Sequence, residues 1–174
     1  IHAIDELPYQ IDQNVATVCI QAMMHELNVH FGLDVTIHKH LISGSGLGSS
    51  ASSCAAAVVA FNEMIGNKFS AKELIEFALI GEALASGSVH ADNVAPAILG
   101  GFVLILKSEP LDIVQLNYPE DLVFTIVHPQ IEIKTKDARR ILKHRILHTD
   151  AVKQWANVGG LISGLMMRDK SLIS

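Results

Sequence analysis

Residues 44–50 read Gly-Ser-Gly-Leu-Gly-Ser-Ser, and this stretch decides which folds can surround it. Three glycines at alternate positions let the backbone turn tightly and approach a ligand closely. The serines that follow open an alanine-rich segment, and the free N–H groups and positive dipole end of a helix starting there would attract anions. The stretch predicts a phosphate-binding loop at a helix N-terminus, with a plain flexible turn as the alternative.

Two widespread nucleotide-binding motifs do not match this loop. A P-loop ends in Gly-Lys-Ser or Gly-Lys-Thr, and this loop has no lysine there. A dinucleotide fingerprint requires its last glycine where Ser49 stands. A Gly-x-Ser-x-Gly hydrolase elbow is also absent from the sequence. The loop therefore belongs to some other phosphate-binding fold.

The sequence before the loop predicts a helix and then a strand. Apolar residues recur at three- and four-residue steps over residues 14–27, the period of an amphipathic helix. Over residues 33–41 apolar and polar residues alternate, which is the period of a half-buried strand. The strand is expected to run directly into the glycine loop.

The sequence after the loop predicts two further helices. Residues 50–65 are rich in alanine and end at Gly66, which suits the left-handed conformation that closes helices. Ser70 followed by Glu73 forms a capping-box pattern, and that helix should run to about residue 85 and stop near Gly87. A loop containing Pro96 is expected next.

The remaining segments predict strands and helices in an α+β or α/β sandwich. The apolar run 102–106 predicts a buried strand, and residues 113–116 and 122–127 predict two more. Thr135 can cap a helix over residues 135–147, and another helix is predicted over residues 151–167. A domain seam is placed at residues 117–120, where Tyr118-Pro119 interrupts two apolar strands.

Composition excludes several functions. The 174 residues are 49% hydrophobic with a formal net charge of -5, so a core is expected and nucleic acid or an anionic membrane is not an expected partner. Cys19 and Cys54 lie inside apolar helical patterns and read as free thiols in a reducing cytoplasm. No export signal is recognisable, and the two chain ends suggest an excerpt of a longer sequence.

Two motifs carry a resemblance to a known family. Residues 44–51 resemble the second motif of the GHMP kinases, and residues 90–102, His-Ala-Asp-Asn-Val-Ala-Pro-Ala-Ile-Leu-Gly-Gly-Phe, resemble the homoserine kinases within that superfamily. The resemblance implies the two-domain α/β sandwich of these kinases, with an N-terminal part like domain 2 of ribosomal protein S5. It extends from about residue 33 to 147 and lacks the family's first and last motifs. Ile42 stands where family members often have proline.

The resemblance implies ATP and Mg²⁺ as cofactors. ATP phosphates would lie on the loop residues, which are Gly44, Ser45, Gly46, Leu47, Gly48, Ser49 and Ser50. Ser50 and Glu82 match the positions that hold Mg²⁺, and their oxygens suit that ion. A surface glutamate is the alternative for Glu82, and a simple helix cap is the alternative for Ser50.

The resemblance also implies a substrate site. Asp92 and Asn93 match the substrate-binding pair, and Arg139 matches an arginine that pairs with the amino acid or the transferring phosphate. Thr135 is a secondary candidate, and so is His90, which adjoins Asp92 and for which a structural hydrogen bond is the favoured alternative role. The family's general base falls on Asp92 or on Asn93 according to how the motif is counted. A mechanism without a base, which depends on alignment and charge neutralisation, is favoured.

The resemblance thus implies ATP-dependent phosphorylation of L-homoserine to O-phospho-L-homoserine, a step of threonine biosynthesis. Two alternatives stay open: another small-molecule GHMP kinase, and a non-catalytic phosphate-binding fragment. Residues 1–118 are expected to form the N-terminal domain without its first strands, and residues 119–174 the start of the C-terminal domain. The oligomeric state is open, with a homodimer as one candidate.

Overall fold

The structure is a computed structural model that describes residues 10–41, 45–87, 89–127, 141–143 and 145–173. The described residues form six helices and two strands. In chain order these are α1 (Val15–Glu26), α2 (Ser49–Met64), α3 (Ala71–Ser86), α4 (Ala91–Leu99), β1 (Phe102–Ser108), β2 (Leu111–Leu116), α5 (His148–Met167) and α6 (Lys170–Ile173).

The first three helices begin and end close to where the sequence predicts. Asn14 precedes α1, and its side-chain oxygen accepts the N–H of Ala16 at 3.0 Å. Ser70 and Glu73 form the predicted capping box of α3. The hydroxyl of Ser70, and then its backbone N–H, donate to Glu73 and hold the pKa of that carboxyl below its ordinary value. Gly66 and Gly87 follow their helices with φ of +83° and +72°.

Helices α1, α2 and α3 pack against one another and form the main core. The largest fully buried side chains of these three helices are Met23, Ile75, Val58, Cys19 and Cys54. Close packing of three helices requires a small residue where their backbones meet. Gly81 on α3 is that residue, because a Cβ there would lie 2.5 Å from the carbonyl oxygen of Val15 and 2.6 Å from Sγ of Cys19.

The connection between α2 and α3 is fixed by one buried amide. Asn62 accepts the backbone N–H of Phe69 at 2.9 Å through Oδ1 and donates to the carbonyl oxygen of Phe69 at 3.0 Å through Nδ2. Burying an amide costs free energy unless its hydrogen bonds are satisfied, and this pair of bonds satisfies both of its ends. The amide thereby fixes where α3 begins relative to α2.

Strands β1 and β2 form an antiparallel hairpin beside α4. Phe102 pairs with Leu116, and the register continues to the pairing of Ser108 with Leu111. Both predicted strands are confirmed, but β1 is half-buried along its first four residues and not fully buried, because it packs against α4 on one side. Together with the helices, the hairpin gives the predicted α+β content.

Three of the predicted elements are wrong. Residues 33–41 and 122–127 contain no strand, because a strand needs a neighbour for its backbone hydrogen bonds and none of the described residues pairs with them. The segment around Pro96 is the helix α4 and not a loop, because Ala91, Val94 and Ala95 bury a common face. The free energy gained by that burial outweighs the loss of the backbone hydrogen bond that proline cannot donate within the helix.

The predicted helix over residues 135–147 lies only partly within the described residues. Residues 128–140 and 144 lie outside the described part of the chain, and they include Thr135. Residues 141–143 and 145–147 are described and are not helical, so the prediction is wrong for them. The exposed Ile141, Leu142, Ile146 and Leu147 provide no buried face that would stabilise a helix there.

Helix α5 confirms the prediction over residues 151–167 and begins three residues earlier, at His148. Its buried residues are Ala151, Gly164 and Leu165, and Gly164 is covered by α6. An ion pair between Lys170 and Asp121 ties α6 to the segment after the hairpin. No helix in the described ranges is long and apolar enough to cross a membrane. The domain seam at residues 117–120 stays a prediction.

Candidate phosphate and metal site

The glycine loop turns directly into α2. Gly46 and Gly48 have φ of +75° and +70°, a left-handed conformation that side chains rarely adopt, which explains why glycine is required at both positions. Gly48 is the N-cap of α2, so the first N–H groups of the helix have no partner within the helix itself. The hydroxyl of Ser45 accepts the N–H of Leu47 at 3.4 Å. Gly44 and Ile42 lie outside the described residues.

Ser50 and Glu82 meet across the interface between α2 and α3. The Ser50 hydroxyl donates to Oε2 of Glu82 at 2.8 Å, although the residues are 32 positions apart. Glu82 is only 7% exposed, so it is not a surface glutamate. A buried carboxylate in the last turns of a helix is disfavoured by desolvation and by the helix dipole. This pair therefore suits a site in which a cation offsets the charge.

The oxygen atoms of this pair fit a magnesium ion. Mg²⁺ in nucleotide sites is bound through one or two protein oxygens together with phosphates and water. Within the described ranges no group of three or more His, Cys, Asp or Glu side chains could hold a metal by itself.

A second helix N-terminus touches the glycine loop. Asn93 lies in the first turn of α4, and a Cβ placed on Gly48 would be 3.1 Å from its Oδ1 and 3.2 Å from its Cβ. The N-terminal ends of α2 and α4 thus come together at Gly48. Because each end carries a partial positive charge, a polyanion placed near both is favoured more than at either alone.

The residues flanking Asn93 open the same helix. His90 is the N-cap of α4, with an extended backbone at φ -133° and ψ 113°, and Asp92 is exposed in the first turn. Sequence reasoning missed this helix, although the burial spacing of Ala91, Val94 and Ala95 is helical and could have revealed it. The contact between Gly48 and Asn93 had no sequence signal, since 45 positions separate them.

Two thiols lie against Gly81, the residue that precedes Glu82 on α3. Cys19 and Cys54 are fully buried, and both sulfurs lie within 3 Å of where a Cβ on Gly81 would be. A hydrogen bond shared with Cys19, and then burial, raise the pKa of the Cys54 thiol. Cys54 therefore stays a neutral thiol that fills space, as the sequence predicts for a free cysteine in a helical core.

The structure brings together one part of the predicted site. Ser50 with Glu82 and Gly48 with Asn93 are in contact, which connects the loop to α3 and to α4. The predicted site residues Thr135 and Arg139 lie outside the described residues. The roles assigned to all of these side chains stay predictions.

The family can be named from comparison with known proteins. The profile of the GHMP kinases N terminal domain matches residues 14–101, which is half of the chain and contains the loop, the Ser50–Glu82 pair and α4. The chain belongs to the GHMP kinase family.

The similar proteins include homoserine kinases. The chain is 42% identical over 173 residues to the homoserine kinase of Chloroherpeton thalassium, covering 96% of this chain and 54% of that protein. It is 48% identical over 141 residues to that of Chlorobaculum tepidum, covering 81% and 44%. The crystal structure of homoserine kinase from Cytophaga hutchinsonii matches with a TM-score of 0.92 at 48% identity, over 97% of this chain and 53% of that one. The chain spans about half the length of these relatives.

Proposed function

We propose that the protein containing this chain phosphorylates L-homoserine with ATP to give O-phospho-L-homoserine, a step of threonine biosynthesis. The observation that carries the proposal is the Ser50–Glu82 hydrogen bond of 2.8 Å at the N-terminus of the helix that follows the glycine loop. This bond holds the carboxylate that is proposed to bind a cation beside the helix end that is proposed to bind phosphate. The substrate is inferred from relatives named homoserine kinase at 42–48% identity.

The loop residues and the first N–H groups of α2 are proposed to hold the ATP phosphates. Ser50 and Glu82 would hold Mg²⁺, which when bound neutralises charge on the phosphate oxygens. The contact between Gly48 and Asn93 supports a shared site, because Asn93, which follows the other proposed substrate residue Asp92, lies against the phosphate loop. His90 precedes this pair and is proposed to line the same pocket.

The remaining roles follow from the family resemblance. Arg139 is proposed to pair with the amino acid carboxylate or with the transferring phosphate, and Thr135 to assist it. Catalysis is proposed to depend mainly on alignment and charge neutralisation, because a loose phosphoryl-transfer transition state needs little proton removal. The cytoplasm is the proposed location, with a homodimer as the candidate assembly.

The experiment is a coupled ADP-release assay on a protein that carries this chain at the length of its relatives. Homoserine, mevalonate, galactose and shikimate are compared as acceptors. We expect ADP release to depend on homoserine and on added Mg²⁺. Equal turnover of another acceptor would favour a different small-molecule GHMP kinase, and ATP binding without turnover would favour a non-catalytic phosphate-binding protein.

Glu82→Gln tests the residue that carries the proposal. We expect a loss of about 10²-fold in turnover, the usual effect of removing one group that stabilises transition-state charge. Glu76→Gln is the matched control, because Glu76 is on the same helix and exposed, so turnover should be unchanged. Full activity of Glu82→Gln would exclude the proposed metal site.

A further inference from the structure

The two adjacent serines at the start of α2 make different contacts. Ser50 donates to Glu82, whereas the hydroxyl of Ser49 points back along the chain and donates to the carbonyl oxygen of Leu41 at 2.8 Å. Ser49 is only 8% exposed, which separates it from the more accessible loop residues Ser45 and Leu47. The Ser49 hydroxyl is thus engaged by the protein itself.

This hydrogen bond joins the start of α2 to the chain that precedes the phosphate loop. Leu41 is the last described residue on the N-terminal side of the loop, and Ser49 is the loop residue at which α2 begins, so one bond links two residues that are eight positions apart. The backbone of Ser49 is held as well, because its carbonyl oxygen accepts the hydroxyls of Ser52 at 3.0 Å and Ser53 at 3.2 Å. Ser49 is therefore fixed from its side chain and from its main chain.

A bond that holds the start of α2 against the chain before the loop reduces the conformational entropy that the loop loses when a ligand orders it. A ligand that binds through backbone N–H groups gains affinity when those groups are already arranged, since less ordering remains at the moment of binding. We propose that Ser49 is a positioning residue whose hydroxyl closes the loop on Leu41 and does not itself bind phosphate. The proposal rests on the proposed function, since it assigns Ser49 a role in holding the loop for ATP.

The test compares Ser49→Ala with Ser49→Thr in the same protein used for the ADP-release assay. Ser49→Ala should raise the KM and the Kd for ATP about fivefold, the size expected for one hydrogen bond, and leave the KM for homoserine unchanged. Ser49→Thr keeps the hydroxyl and should stay within about twofold of the unsubstituted protein.

Thr17→Val is the matched control, because Thr17 makes the same kind of contact elsewhere. Its hydroxyl donates to the carbonyl oxygen of Ile11 at 2.6 Å, which ties the start of α1 to the chain before it. This substitution should lower the midpoint of thermal unfolding and leave ATP affinity unchanged. Equal weakening of ATP binding by Thr17→Val would reduce the Ser49 effect to general destabilisation and overturn the proposal.

Amide hydrogen exchange without nucleotide gives a readout that does not depend on turnover. Ser49→Ala should speed the exchange of residues 45–51, and Thr17→Val should not. Unchanged exchange and unchanged ATP affinity in Ser49→Ala would contradict the positioning role. If the unsubstituted protein fails to bind ATP, the proposed function fails, and a change in exchange would then report only on loop structure.

Discussion

The three helices of the core and helix α5 both carry recurring apolar residues, but these residues are buried in the core and largely exposed on α5. In the core, α1, α2 and α3 cover one another, and Ile75 is fully buried. On α5, Trp155 is 67% exposed and Met167 70% exposed. The two regions show that an apolar stripe determines where a helix can form, whereas the contribution of its side chains to stability depends on what covers the stripe.

Truncation of a large apolar side chain should give the largest single loss of stability, and only in the core. Ile75→Ala should lower the free energy of unfolding by about 3 kcal/mol, because it leaves a cavity in a closely packed core. Met167→Ala, at a side chain on α5 that is 70% exposed, should change it by less than about 0.5 kcal/mol. Urea unfolding followed by circular dichroism measures both, and equal losses would contradict the difference in packing.

Replacement of glycine by alanine should lower the free energy of unfolding in the core and raise it on α5. Gly81→Ala should destabilise by about 2–3 kcal/mol, because the new Cβ would lie 2.5 Å from the carbonyl oxygen of Val15. Gly159→Ala on α5 meets nothing within 4 Å and should stabilise by about 0.5–1 kcal/mol through higher helix propensity. Thermal unfolding midpoints of the two variants would refute this contrast if they shifted in the same direction.

Substitutions at the N-caps of α3 and α5 should give the smallest difference in the free energy of unfolding between the two regions. Ser70→Ala removes the capping box of α3 and should lower the free energy of unfolding by about 1 kcal/mol. Leu147, the N-cap of α5, has a suitable extended backbone but no side-chain cap bond, so Leu147→Ser should stabilise by up to about 1 kcal/mol. Chemical unfolding of both variants checks this, and the prediction is wrong if Leu147→Ser has no effect.

Local signals were enough to predict the helical core and the two strands that form the hairpin. Asn14, Ser70 and Gly87 mark helix boundaries through contacts within a few residues, so the sequence around each one contains the information. The alternation over residues 33–41 also looked local, but a strand depends on a partner elsewhere in the chain. The proline at position 96 predicted a loop from a local signal, but the segment is helical because Val94 and Ala95 are buried against the rest of the protein.

The candidate site was predictable only in part. The glycine loop has its own sequence pattern, and the pairing of Ser50 with Glu82 came from the family resemblance and agrees with their 2.8 Å contact. The contact of Asn93 with Gly48 and the bond from Ser49 to Leu41 could not be inferred, because both depend on how the helices pack and on the path of the chain into α2.

The close contact between Gly48 and Asn93 has a consequence for transferring parts between related kinases. A loop taken from one kinase brings its own shape at position 48, and the residue facing it across the site belongs to a different segment of the recipient. The loop and the first turn of α4 should therefore be exchanged as a single module. In a chimera that takes only one of them, the residue at position 48 and the residue facing it from α4 would come from different proteins and could clash or leave a gap.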